Sequence, residues 1–118
     1  MNKQVVLITG ASSGIGRATA IAFAEKGHVV YGTSRSACGV AGVSMLRMDV
    51  REETSVGNAV THILSEEGRL DILVANAGTG IAGAVEETDM DKAQRQFDTN
   101  YFGALRVIRA VLPGMRQR

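Results

Sequence analysis

Apolar residues in this chain follow two rhythms. Val5-Val6-Leu7-Ile8 and Ile72-Leu73-Val74-Ala75 are unbroken apolar runs. Runs of that length fit strands buried on both faces, as in a parallel sheet. Strands are expected at residues 4–9, 28–33, 44–48 and 71–75. Between them the apolar positions recur at helical spacing. Helix one is expected at 14–26, with Ile15, Ala18 and Ala22 on one face, small enough to sit close to a sheet. Gly27 is its expected stop. Helix two is expected at 52–67, with a stripe of Val56, Ala59, Val60, Ile63 and Leu64, closed by Gly68. A last helical region runs from about Met90 onward, where Met90, Ala93, Phe97, Ala104, Ile108, Val111 and Met115 recur at helical intervals. Pro113 is expected to cost a backbone hydrogen bond and kink the final turn. The stretches 34–43 and 79–85, rich in small residues, read as loops, the second as a mobile one.

Strands alternating with helices argue for an α/β fold, a parallel sheet joined by right-handed crossovers. Ligands in such sheets bind beyond the C-terminal strand ends. Thr9-Gly10, Ser34-Arg35, Asp49-Val50 and Asn76-Ala77-Gly78 all fall at such ends, so four polar or glycine-bearing segments converge on one edge. Gly10, Gly14 and Gly16 lie between the first strand and the first helix in a G-x-x-x-G-x-G spacing. Glycines there let the backbone approach a phosphate closely, and the first helical N–H groups point at the anion. A plain tight strand-to-helix turn is the other reading of the same residues. Asn100 falls on the apolar stripe of the last helical region, where an amide needs hydrogen-bond partners. An internal polar link between helix and sheet would satisfy it.

Composition narrows the function classes. The 118 residues suit one ordinary domain, and 45% of them are hydrophobic, enough for a packed core. Net charge is +1, from 13 basic and 12 acidic residues with no basic block, so nucleic acid is not an expected partner. The single cysteine, Cys38, excludes an internal disulfide and suits a reducing, cytoplasmic setting. His28 and His62 stand apart with no cysteine cluster, so no metal site is expected. No apolar run approaches the roughly 20 residues of a membrane span, and the N-terminal apolar run is too short for a signal peptide.

With these residues in view, the sequence resembles the short-chain dehydrogenase/reductase family. Thr9 to Gly16 matches that family's T-G-x-x-x-G-x-G turn, Asp49-Val50 its adenine-contacting Asp after strand three, and Asn76-Ala77-Gly78 its N-A-G motif after strand four. Asp98-Thr99-Asn100 matches the helical segment that carries its catalytic Asn. The resemblance covers essentially the whole chain in order and spacing. It implies a Rossmann-type, three-layer α/β/α fold with strand order 3-2-1-4. It also implies hydride transfer between a nicotinamide and a small-molecule carbonyl or alcohol. Gly10, Ser12, Ser13, Gly14, Ile15 and Gly16 would then cradle the pyrophosphate, with Ile15 adding a backbone N–H. Asp49 and Val50 would meet the adenine, Asn76 would brace the strand ends, and Ala77 and Gly78 would leave room for the ribose nearest the nicotinamide. Asn100 would hold a water in the proton relay.

Two departures refine that expectation. The end of strand two reads Thr33-Ser34-Arg35, with a cation where a carboxylate would select NAD. Arg35 can pair with a 2′-phosphate, with hydroxyls from Ser13 and Ser34 beside it, which favours NADP(H) over NAD(H). A solvated surface arginine is the plainer reading. Members of the family also carry a catalytic Ser and a Tyr-x-x-x-Lys, and neither Tyr31 nor Tyr101 is followed by a Lys at that spacing. The chain is therefore expected to be the N-terminal, cofactor-binding portion of a longer single-domain fold, inactive alone. Its fourth strand would present an apolar edge that favours self-association into a homo-oligomer. A non-catalytic dinucleotide-binding module and a methyltransferase remain as alternatives.

Overall fold

The computed structural model describes residues 3–36, 38–78 and 89–117, so the expected loop at 79–85 lies outside the described residues. Four strands form one sheet: β1 (Val5–Ile8), β2 (Val29–Ser34), β3 (Ser44–Arg47) and β4 (Ile72–Val74). All three ladders are parallel and the order is β3-β2-β1-β4, as the resemblance implied. In the register, Val5 faces Val29 and Val6 faces Ile72. β1 is central and its residues are no more than 4% exposed, which is why its run is continuous rather than alternating. Val5 and Leu7 pack on one side of the sheet with Val56, Val60, Ile63, Val107 and Val111. Val6 and Ile8 pack on the other with Ala20 and Val30. Each such side chain contributes about 1.5–3 kcal/mol relative to exposure, so β1 anchors both cores.

Helix α1 (Gly14–Glu25) covers the second face with a stripe other than the expected one. Gly16 and Ala20 are buried, with Phe23 and Ala24 packed beside them, whereas Ile15 is 79% exposed and Ala18 and Ala22 face outward. Gly16 and Ala20, rather than Ile15, take the closest approach, with Phe23 packing further along the helix. Helix α2 (Glu53–Glu67) buries Val56, Ala59, Val60 and Ile63 as expected and ends at Gly68, which is left-handed at φ 75°. Leu64, expected in that stripe, is exposed.

The last helical region is three elements. Helix α3 (Met90–Phe97) runs into a π-helical turn, Asp98–Phe102, and then α4 (Gly103–Arg116). The turn's wider winding rotates the faces on either side of it out of step. Met90 and Phe97 lie on α3, which buries none of its residues, while Thr99, Gly103, Val107 and Val111 are buried. Pro113 lies inside α4, which continues to Arg116. α4 packs with α2 over the first sheet face, completing the three layers. No helix among the described residues is long and apolar enough to cross a membrane.

Beneath α2, the buried Tyr31 hydroxyl donates to Glu67 Oε2 at 2.7 Å. Burial, and then the Glu67 carboxylate, push the phenol from 10.0 up to about 12. A phenol whose pKa is raised by folding gives stability that is present below its unfolded value and lost as pH climbs through the folded one. Denaturation between pH 10 and 12 should therefore show a steeper loss of stability in the wild type than in Tyr31→Phe. Equal slopes would remove Tyr31 as the cause.

Candidate functional site

The C-terminal ends of β1, β2 and β4 open into a cleft of about 340 Å³. It lies where β1 sends its neighbours in opposite directions, the switch point at which open α/β sheets bind ligands. Gly10, Ser12, Ser13, Thr33, Ser34, Arg35, Met48, Val50, Asn76, Ala77, Gly78 and Thr99 line it.

The floor is built by hydrogen bonds between strand ends. The Thr9 hydroxyl accepts from the backbone N–H groups of Asn76 (2.9 Å) and Ala77 (3.0 Å). The Asn76 side-chain amide donates to the Gly10 carbonyl at 3.1 Å, and the Ala11 N–H to the Thr33 carbonyl at 2.9 Å. Gly10 has φ 66°, and a Cβ there would lie 2.8 Å from Ala77 Cα. A Cβ on Gly16 would collide with the Gly10 carbonyl oxygen and the Asn76 amide nitrogen. These two positions admit only glycine because turn, helix and β4 end converge on them. Ser13 caps α1 in extended geometry without a side-chain capping bond, so its side chain satisfies none of the N–H groups of the first turn.

Nine of the residues singled out in the sequence line this cleft: Gly10, Ser12, Ser13, Ser34, Arg35, Val50, Asn76, Ala77 and Gly78. Gly14, Ile15 and Gly16 stand behind it in the turn and the first turn of α1. Ser34 is committed inside its own loop, its hydroxyl donating to the Ser36 carbonyl. Arg35 is exposed on the rim and also borders an adjoining depression, with Arg47, Asp49 and Glu52. Asp49 lies in that depression and not on the cleft wall. Arg51 holds both its oxygens, with contacts of 2.7–3.2 Å. The Arg51 hydrogen bonds draw the Asp49 carboxyl down to about 2, so it is ionised at neutral pH.

Asn100 is exposed and does not line the cleft. It stands beside the cleft, since a Cβ on Gly78 would lie 2.9 Å from its Oδ1. The π turn, not a regular stripe, brings it there. Thr33, Met48 and Thr99 also line the cleft, without an expected role of their own. Each neighbours a residue that had one: Ser34, Asp49 and Asn100.

The model of the family described as short chain dehydrogenase matches residues 4–118. The chain belongs to the short-chain dehydrogenase family. Among members of that family it is similar to a 3-ketodihydrosphingosine reductase of Bacteroides thetaiotaomicron, 48% identical over 118 residues, which cover 99% of this chain and 44% of that protein. It is also similar to the ligand-free aldohexose dehydrogenase of Thermoplasma acidophilum, at 34% identity and a TM-score of 0.94, over 99% of this chain and 46% of that one. The solved structure of ElxO with NADP bound also aligns, at 30% identity and a TM-score of 0.89, over 98% of this chain and 52% of that one. The chain thus spans about half the length of the relatives it matches.

Proposed function

We propose that this chain supplies the dinucleotide-binding half of an NADP(H)-dependent oxidoreductase that transfers hydride between the nicotinamide and a carbonyl or alcohol substrate. The observation that carries this reading is the charge at the end of β2. Arg35 borders the cleft, and neither Thr33 nor Ser34 beside it brings a carboxylate. A carboxylate there would accept from ribose hydroxyls and repel a 2′-phosphate, whereas a guanidinium pairs with one. The NADP held by ElxO supports the same choice by similarity.

The cleft suits the group. The Gly10–Gly16 turn presents backbone to the cleft, with Gly10 pressed so close to Ala77 that no side chain fits between them, and the first N–H groups of α1 can take the pyrophosphate. Ser13 and Arg35 are the donors for the 2′-phosphate, since Ser34 serves its own loop. Asp49, gripped by Arg51 through both oxygens, would accept from the adenine amino group by sharing an oxygen with that fork, with Val50 beside it. Asn76 holds Ala77 and Gly78 in place for the second ribose. Asn100, over Gly78, can orient a water for the proton that accompanies hydride transfer. When bound, the nicotinamide would supply the hydride chemistry; the chain's residues would orient the dinucleotide and meet the charge of its phosphates.

Calorimetric titration of the chain with NADPH, NADH and S-adenosylmethionine tests this. NADPH should bind at least about tenfold tighter than NADH, as one added charge-assisted contact gives, and S-adenosylmethionine should not compete. Equal affinity for the two nicotinamides would overturn the assignment, and competition by S-adenosylmethionine would point to a methyltransferase.

A further inference from the structure

Arg106, on the first turns of α4, joins two segments that are far apart in sequence. Its Nη1 donates to the Val50 carbonyl at 3.0 Å and, at 3.4 Å, to the Asp98 carbonyl. Its Nη2 donates to Asp98 Oδ1 at 2.6 Å. Val50 is part of the cleft wall. Asp98 opens the π turn, and its carbonyl also accepts the Gly103 N–H that closes that turn. Gly103 lies against Val50 so closely that a Cβ on it would sit 2.6 Å from Val50 Cγ2. One guanidinium therefore ties the cleft wall after β3 to the turn that carries Asn100. An exposed ion pair would contribute little. This one is half-buried, with side-chain exposures of 22% and 37%, and its planar fork engages three acceptors.

We propose that Arg106 is the positioning residue for Asn100: it sets the π turn against Val50 and so fixes where the Asn100 amide stands over Gly78. The proposal deepens the reading of the cleft given above and rests on it for the role of Asn100. Without the fork, the turn loses its link to the wall and Asn100 its fixed distance from the strand end. A lysine would replace the charge but reach only part of the acceptor set.

NMR of the isotope-labelled chain tests this directly. In Arg106→Gln the Asn100 side-chain amide resonances should move, and exchange of the Gly103 N–H should quicken by about tenfold, the size of one charged hydrogen bond. The amides of Leu7 and Ile63, in β1 and α2, should exchange as in the wild type. Arg106→Lys should restore part of the wild-type signature. Asp98→Asn should move the same Asn100 resonances, and it carries the test alone if Arg106→Gln does not fold. Unmoved Asn100 resonances would overturn the proposal. So would a uniform loss of protection reaching Leu7 and Ile63, which marks a general prop. Adding NADPH to the same wild-type sample separates the two readings. Silence at Gly10 and Ala77 would count against the cleft assignment while leaving the Arg106 result standing.

Discussion

Arg35→Ala should weaken NADPH binding by roughly 10- to 150-fold and leave NADH binding nearly unchanged. The 2′-phosphate brings a charge near −2 to the rim where Arg35 stands exposed. A hydrogen bond to a charged group contributes about 1.5–3 kcal/mol net, which sets that range. Two features of the rim bear on where the effect falls. Arg47 donates to the Arg35 carbonyl at 3.2 Å, so it holds the Arg35 loop in place and remains as a second cation when Arg35 is removed. Asp49, Glu52 and Glu53 share the adjoining depression, and their charge works against the phosphate once the guanidinium is gone. Because Arg35 is exposed, the preference should also shrink as salt rises. The measurement is the pair of dissociation constants, NADPH and NADH, for wild type and variant at two ionic strengths. An equal loss for both cofactors would mean that Arg35 acts through the loop's fold rather than on the phosphate.

Gly16→Ala should cost about 2–4 kcal/mol of stability and abolish dinucleotide binding at cofactor concentrations that saturate the wild type. The added methyl lands on the Gly10 carbonyl and the Asn76 amide, so it breaks the bond between them as well as crowding α1. Overpacking a tight site costs about 1–3 kcal/mol, and the lost hydrogen bond adds about 1. Gly14→Ala makes the contrast. Its Cβ would meet open space, so only its φ of 59° is strained, a cost of about 1–2 kcal/mol. Urea denaturation of the two variants should rank them in that order. A Gly16→Ala midpoint at or above that of Gly14→Ala would show that α1 can slide off the turn without loss.

The parallel sheet and the convergence of strand ends were legible because strands alternate with helices and polar or glycine residues follow each strand, whereas the strand order came from the family resemblance. The packing face of α1 was not. Hydrophobic spacing gives weight to Ile15, Ala18 and Ala22, but contact with the sheet selected Gly16 and Ala20 for their size. The stripe that joined Met90 and Phe97 to Ala104 and Ile108 failed for another reason. A π-helical turn adds a residue to the winding, and periodicity counted across it joins positions on different faces. That same turn puts Asn100 beside Gly78, so the place where the pattern breaks is also where a candidate catalytic side chain is set. Asp49 was legible as a strand-end carboxylate, whereas its fork with Arg51, two residues on, depends on the shape of the bend between them.

The two N–H groups that the Thr9 hydroxyl accepts belong to residues 67 and 68 positions later in the chain. The β1–β2 ladder, by contrast, joins residues 24 apart, as Val5 to Val29. Closing the longer loop costs about 1 kcal/mol more in chain entropy, and during synthesis the second partner has not yet been made when the first pair can form. The glycine turn and the β2 rim are thus expected to assemble before the cleft has a floor. Pulsed amide labelling would register this as late protection of Ala77 relative to Val29. A ligand that needs both walls would consequently bind only chains whose β4 has docked.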